Sequence, residues 1–141
     1  MSNDRPFKDT KVEAAFAAFP ATLHEPLLGL RDLILVTADE TEDAGSIVEC
    51  LKWGQPAYLT ERPKSGSTIR IGPIRGNDAA YGLFVHCQSR LIPSFRAHYG
   101  EEFRFEGNRA LVLSADEPAP IVPLKHCIRL ALTYHLTKNR V

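Results

Sequence analysis

A seven-residue stretch from Lys52 to Tyr58, KWGQPAY, constrains the fold more than any other part of the chain. Gly54 can adopt backbone angles that are closed to other residues, and Pro56 cannot continue a helix. Because these two residues lie two positions apart, the chain has to change direction here. The stretch also holds the only tryptophan, Trp53, which combines a large apolar ring system with one polar N–H group. We expect Trp53 to be mostly buried, with its N–H group hydrogen-bonded.

The length and composition of the chain indicate one globular domain. A chain of 141 residues is long enough to bury a sizeable core, and 44% apolar and 24% charged residues argue against wholesale disorder. Seventeen basic residues balance seventeen acidic ones, which argues against a general nucleic-acid binder. A local basic patch stays open, because eleven of the basic residues are arginines. We expect no nucleic-acid partner, no membrane partner, and a monomer or homodimer.

The cysteines and the absence of long apolar runs favour a cytoplasmic location. No early apolar run has the length and flanks of a signal peptide, and none reaches membrane-spanning length. The three cysteines, Cys50, Cys87 and Cys127, are widely spaced and odd in number, which does not make a disulfide framework. These features favour a reducing cytoplasm.

Helical apolar spacing dominates the first third of the chain. It predicts a short amphipathic helix over about 8–19 and a longer one over about 22–38. Ser46 and Glu49 have the spacing of a capping box, so we expect a third short helix over 47 to about 52. We place residues 1–20 in an N-terminal extension that contains the short first helix.

Extended patterns dominate after this point. Alternating apolar and polar residues predict strands at 57–60, 68–71 and 80–87, and Gly107-Asn108 predicts a hairpin between 103–106 and 109–113. Further helices are expected from about residue 89 to Tyr99 and from about Leu124 to Thr137, the second with a buried stripe that includes His135. This order favours one α+β domain over 21–141, with an antiparallel or mixed sheet of about five strands and helices packed on one face.

Five segments, taken in order, resemble the YdhG-like domain family, a bacterial family of unknown function. The resemblance covers roughly Thr22 to Thr137 and rests on KWGQPAYL (52–59), FVHCQ (84–88), FRAHYG (95–100), FEGNRALVL (105–113) and HCIRLALTYH (126–135). It implies a compact α+β domain with a curved sheet and helices on one side.

The resemblance also implies a likeness in shape to frataxin, and one branch of the family is linked to intracellular iron delivery. Frataxins bind iron through a row of carboxylates along a helix and an edge strand. Here only Asp39, Glu40, Glu42 and Asp43 cluster, so the sequence departs from that pattern. The family has no established catalytic residues to carry over.

Histidine and cysteine are adjacent twice, at His86-Cys87 and His126-Cys127. A zinc site needs about four ligands at one point, and neighbouring residues on a strand point to opposite faces. Free cysteine is among the most buried residue types, so core packing is favoured for the thiols, including Cys87. We expect no metal, no cofactor and no catalytic residue, and we regard the protein as less consistent with an enzyme than with a binding protein. The enzymatic alternative uses Cys87 or His86.

A polar set around the sheet points to ligand binding. Cationic and amide donors beside an aromatic wall suit an anionic small molecule or a peptide carboxylate. The sequence therefore favours a small cytoplasmic binding module, with an iron-handling protein as the alternative. A simpler interpretation is that Arg70 and Arg109 are solvated strand residues and that Asn108 supplies turn geometry. The candidate ligand-binding residues are Lys52, Trp53, Gln55, Tyr58, Arg70, His86, Gln88, Asn108 and Arg109.

Overall fold

An open antiparallel sheet with helices packed against it forms the protein, as seen in a computed structural model that describes residues 5–62 and 65–137. The α+β fold class expected from the sequence is confirmed, with six strands within the described residues instead of about five. The strands are β1 (Ser46–Lys52), β2 (Gln55–Arg62), β3 (Ile69–Ile74), β4 (Asn77–Phe84), β5 (Arg104–Glu106) and β6 (Ala110–Ser114). The helices are α1 (Thr10–Ala17), α2 (Ala21–Glu40), α3 (Leu91–Tyr99), α4 (Ile121–Leu132) and α5 (Tyr134–Thr137), with a short 3-10 turn at Glu42–Ala44.

The strand order across the sheet is β1-β2-β3-β4-β6-β5, and every neighbouring pair is antiparallel. Side chains alternate between the two faces of a strand, so paired residues lie side by side on one face. One such row contains Cys50, Ala57, Arg70, Phe84 and Ala110. The neighbouring positions on each strand form the opposite face.

The opposite face is the one that the helices cover. Tyr58, Ile69, Ile71, Leu83 and Leu111 point into one hydrophobic cluster and are fully buried. The long helix α2 completes this core with a stripe of buried leucines and isoleucine, and α1 and α4 add further apolar side chains. The sheet therefore has a covered face, which the helices bury, and an open face, which carries the Arg70 row.

The predicted helix at 47–52 is wrong, because this segment is the edge strand β1. Ile47 and Leu51 pack against the core, and Glu49 lies between them on the same face, which is the two-residue period of a strand. Ser46 and Glu49 have capping-box spacing but do not cap a helix here. Pairing of β1 with β2 along its whole length overrides this local signal.

The change of direction at Trp53-Gly54 is a two-residue hairpin turn between β1 and β2. Both residues have positive φ, 56° for Trp53 and 76° for Gly54, which is the backbone pattern of a type I′ turn. The expectation that Trp53 is mostly buried is wrong, since it is 90% exposed at the tip of this hairpin. Gly54 supplies the turn geometry at no steric cost, whereas Trp53 adopts it against the preference of its side chain.

Strand β4 ends at Phe84, three residues earlier than the sequence pattern indicated. Val85 still donates its backbone N–H to the Arg109 carbonyl at 2.8 Å, but His86 and Cys87 lie beyond the strand and are exposed. The expectation that Cys87 belongs to the core is therefore wrong.

The last predicted helix is divided, because α4 ends at Leu132 and a separate turn, α5, follows. Among residues 5–62 and 65–137, no helix combines the length and the apolar character needed to cross a membrane.

Candidate functional site

The open face of the sheet carries a half-buried cation, Arg70, at its centre. In the strand register Arg70 lies between Ala57 of β2 and Phe84 of β4. Its Nη1 group donates a hydrogen bond of 2.8 Å to Gln55 Oε1, and its guanidinium lies 5.8 Å from the centre of the Phe84 ring. Small neighbours make room for this arrangement, since a Cβ atom at Gly72 would come within 3.1 Å of the Gln55 amide nitrogen.

Arg70 has no carboxylate within ion-pair distance among the described residues. Burial, and next the charge of nearby Arg109, lower the pKa of Arg70. Both causes act against the charged form, so the environment of this guanidinium is short of negative charge. Arg109 itself pairs with Glu106 at 3.2 Å, in an exposed contact.

Two cavities meet at Arg70. The first, the Arg109 cavity, has a volume of about 730 Å³ and is lined by Gln55, Arg70, Pro73, Ile74, Arg75, Phe84, Glu106 and Arg109. The second, the Trp53 cavity, has a volume of about 490 Å³ and is lined by Lys52, Trp53, Gly66, Ser67, Thr68, Arg70, His86, Gln88, Ser89, Tyr134 and His135. Both volumes lie in the range of small-molecule sites.

The described lining of both cavities carries excess positive charge. Three arginines face one glutamate in the Arg109 cavity. Lys52 and Arg70 line the Trp53 cavity, and none of its described lining residues is acidic. A separate cleft of about 550 Å³ has the opposite balance, because its described lining includes four acidic residues, Glu101, Glu102, Asp116 and Glu117, and one basic residue, Arg104. The balanced composition of the chain therefore hides a local separation of charge.

Ring side chains give the Trp53 cavity its second property. Trp53, His86, Tyr134 and His135 all line it, and they come from the β1–β2 turn, the end of β4 and α5. The backbone N–H of Gln88 donates to His86 Nδ1 at 3.1 Å, so a neutral His86 ring carries its proton on Nε2 and can donate from there. This wall combines aromatic surface with hydrogen-bond donors.

Seven of the nine sequence-predicted site residues line these two cavities. Gln55, Arg70 and Arg109 line the first cavity, and Lys52, Trp53, Arg70, His86 and Gln88 line the second. Asn108 lines neither cavity and accepts a hydrogen bond from Arg96 at 3.4 Å. Tyr58 lies on the covered face, where it is fully buried. It is therefore separated from the rest of the set by the sheet itself.

Tyr58 belongs to a buried polar cluster that the sequence did not reveal. Its hydroxyl donates to Glu49 Oε2 at 2.7 Å, and Arg31 of α2 binds the same carboxylate through Nε at 2.6 Å and Nη2 at 3.0 Å. Arg31 also donates to the backbone carbonyls of Arg5 and Pro6. The cluster thus fastens α2, β1, β2 and the start of the described chain together. It is satisfied internally, and we assign it a structural role.

Sequence reasoning missed four residues of the two cavities that bear on binding. Arg75 lies in the turn after β3, and Glu106 precedes the β5–β6 turn, where neither has a local signal for binding. Tyr134 and His135 reach the Trp53 cavity because α5 turns away from α4. The expectation that His135 continues the buried stripe of the last helix is wrong, since it is exposed.

In the part of the chain that the structure describes, the thiols and the acidic run at 39–43 do not form a second candidate site. Cys127 is fully buried, and burial raises its pKa to about 12, while Cys87 is exposed without a hydrogen bond to a described histidine. Asp39 pairs with Arg5 and Glu40 with Lys125, which uses two of the four clustered carboxylates in ion pairs. Within residues 5–62 and 65–137, no three His, Cys, Asp or Glu side chains are grouped to hold a metal ion.

Comparisons with known proteins complete the description of the site. The chain matches no protein-family model, no curated protein and no solved structure. The resemblance of its motifs to the YdhG-like domain family therefore rests on the sequence segments alone.

Proposed function

We propose that this protein is a small binding module that takes an anionic ligand on the open face of its sheet, with Arg70 as the main contact for the anion. The observation that carries the proposal is the environment of Arg70. It is a half-buried cation between two cavities, it makes one hydrogen bond to a neutral amide, and it has no carboxylate partner among the described residues.

A guanidinium has five N–H donors in a fork that matches carboxylate and phosphate oxygens. Gln55 accepts from one of the Arg70 donors. An anion bound to the others would offset the repulsion from Arg109 and the cost of partial burial, which are the causes that lower the pKa of Arg70. Ligand binding would thus supply the negative charge that the folded chain does not place there.

The surrounding charges support the same choice of ligand. Arg75 and Arg109 line one side of Arg70, and Lys52 lines the other. Such a surface attracts anions from solution and repels cations. The iron-handling alternative lacks a comparable observation, because the acidic run at 39–43 is partly paired with basic side chains.

Membership of the YdhG-like domain family is part of this proposal. The α+β class with an antiparallel sheet and helices packed against it agrees with what the resemblance implies. A cytoplasmic location is proposed with it and is supported by three free cysteines.

Titration calorimetry with inorganic phosphate, citrate and benzoate tests the proposal. The wild type should bind at least one of these anions, and Arg70→Gln should weaken that binding at least about tenfold, the loss expected for a charge-assisted hydrogen bond. Arg70→Lys keeps the charge but loses the fork, so it should fall between the two. The matched control is Arg129→Gln, an exposed arginine on α4, which should bind like the wild type. Equal affinities for the wild type and Arg70→Gln would overturn the proposal.

A further inference from the structure

Trp53 occupies a position that neither folding nor turn chemistry explains. It is 90% exposed, so it does not serve the core. Its φ of 56° is one that bulky residues rarely adopt, and type I′ turns favour asparagine, aspartate or glycine there. An exposed tryptophan in a strained backbone conformation is unfavourable for the free protein on both counts, and backbone strain of this kind clusters at functional sites.

The surroundings of Trp53 indicate what it contacts. It lines the Trp53 cavity while almost all of its surface stays exposed, so it stands at the rim. His86, Tyr134 and His135 supply further ring surfaces to the same cavity. Arg70 lines this cavity as well as the Arg109 cavity, so the proposed anion contact and the ring surfaces share one space.

We infer that the ligand of the open face is an anion that carries a planar aromatic ring, and that the indole of Trp53 stacks on this ring while Arg70 binds the anionic group. The inference rests on the proposed function and names the class of ligand for the same site. Aromatic carboxylates and nucleoside monophosphates share this chemistry. A cavity of about 490 Å³ accommodates one such ring, and the exposed indole can close over it from the rim.

Stacking between an aromatic side chain and a planar ring makes a substantial and separable contribution to affinity. It is worth about fivefold to 150-fold in affinity for a base on an aromatic residue. The contribution depends on the ring alone and not on the charge of the ligand. Removing the indole from the protein should therefore weaken binding of the aromatic ligand but not of its ring-free counterpart. After the ring has been removed from the ligand, removing the indole should cost no further affinity.

Two pairs of probes separate the ring from the anion: benzoate with acetate, and adenosine 5′-monophosphate with ribose 5-phosphate. Calorimetry on the wild type should show at least one aromatic probe binding about tenfold more tightly than its ring-free partner. Because Trp53 is the only tryptophan, quenching of its fluorescence by the aromatic probe reports on the stack directly. The pair that shows the preference distinguishes a carboxylate from a phosphate ligand.

Three variants complete the test. Trp53→Asn suits the turn and should remove the ring preference without weakening the ring-free probe, whereas Trp53→Phe keeps a ring and should retain part of the preference. Arg70→Gln should weaken both members of a pair. Absence of a ring preference in the wild type, or its persistence in Trp53→Asn, would overturn the inference and leave the anion site intact. Unchanged binding of both members to Arg70→Gln would instead overturn the proposed function.

Discussion

Arg31 and Arg70 lie on opposite sides of the same sheet and have opposite surroundings. Arg31 is 2% exposed on the covered side, where it binds Glu49 through two nitrogen atoms and lies 3.9 Å from the centre of the Phe7 ring. Arg70 is half-buried on the open side, with an amide as its hydrogen-bond partner and Arg109 nearby. Glu49 is thus a counterion for Arg31, whereas none of the described residues is a counterion for Arg70.

The pKa shifts of the two arginines express this difference. Burial alone would lower the pKa of Arg31, but the hydrogen bond and the negative charge of Glu49 outweigh it and raise that pKa. The pKa of Arg70 is lowered by burial and by Arg109, and no described carboxylate pairs with it to raise that pKa. A cation that is satisfied by the fold stabilises the fold, whereas a cation left without a counterion is available to a ligand. This difference supports a structural role for Arg31, and it is the reason for proposing Arg70 as the contact for an anion.

The largest expected change in the free energy of unfolding follows from breaking the pair of Arg31 and Glu49 on the covered face. Arg31→Met leaves the Glu49 carboxylate largely buried without its partner, which should lower the free energy of unfolding by about 3–5 kcal/mol. Arg70→Met is the matched control, since it leaves no carboxylate unpaired and removes a repulsion, and it should stay within about 1 kcal/mol of the wild type. Urea denaturation of both variants measures the difference. If both variants lost the same free energy of unfolding, Arg31 and Arg70 would not differ in their contribution to the fold.

A smaller loss should follow from removing one hydrogen bond of the same cluster. Tyr58→Phe deletes the hydroxyl that donates to Glu49 and should lower the free energy of unfolding by about 2 kcal/mol, because the acceptor is charged. Tyr81→Phe is a suitable control, since Tyr81 is also buried but is not among the described donors to Glu49, which are Arg31 and Tyr58. Chemical denaturation of the two variants checks this. If Tyr81→Phe cost as much, the loss would reflect packing instead of the cluster.

For Trp53, on the open side, we expect a substitution to increase the free energy of unfolding. Trp53→Asn should raise the free energy of unfolding by about 1 kcal/mol, because asparagine tolerates positive φ and no core contact is lost. Gly54→Ala in the same turn should lower it by about 1 kcal/mol, since nothing lies within 4 Å of the added Cβ and only the strain acts. Thermal unfolding of both variants gives the signs. A destabilised Trp53→Asn would show that the indole serves the fold after all.

The smallest expected effect concerns pH and the helices of the covered side. Burial, then His98 and Arg129, lower the pKa of His126, whose Nδ1 lies 2.7 Å from the Tyr99 hydroxyl. Below about pH 6.5 the unfolded chain therefore binds this proton more readily than the folded one, and stability should fall as the pH decreases. Above that pH both states are neutral at this residue and the contribution disappears.

Thermal unfolding at pH 7.5, 6.5 and 5.5 measures this dependence. His126→Gln should reduce the decrease in the melting temperature between pH 7.5 and pH 5.5. His24→Gln is a control on α2, where the ring is hydrogen-bonded to the Phe19 carbonyl at 2.7 Å. An unchanged slope in His126→Gln would place the pH sensitivity elsewhere.

Local patterns account for most of what could be predicted of the fold. Ile69 and Ile71 alternate with Arg70, and this alternation correctly places the isoleucines in the core and the arginine on the other face. Gly107-Asn108 predicts the β5–β6 hairpin because glycine adopts the positive φ of 55° found there. A local pattern fails at 46–52, where the capping-box spacing predicts a helix but pairing with β2 makes the segment a strand.

The candidate site was predictable only in part, for a related reason. Sequence identifies polar side chains such as Arg70, Gln55 and His86, but it does not show which of them share a face. The sequence places Tyr58 in the site because it belongs to the 52–58 stretch where the chain changes direction, whereas the strand period sends its side chain to the opposite face. Arg31 gave no signal, because its partner Glu49 lies eighteen residues away on another element.

The sequence by itself thus determined the α+β class, the periodic core residues and a change of direction within 52–58, because backbone geometry and the burial of apolar side chains act over a few neighbouring residues. Only the tertiary structure decided that Trp53 is exposed, that Arg31 finds a carboxylate and Arg70 does not, and that α5 brings Tyr134 and His135 to the Trp53 cavity. Burial and ion pairing at these positions depend on partners far away in the chain. A local pattern of residues does not contain that information.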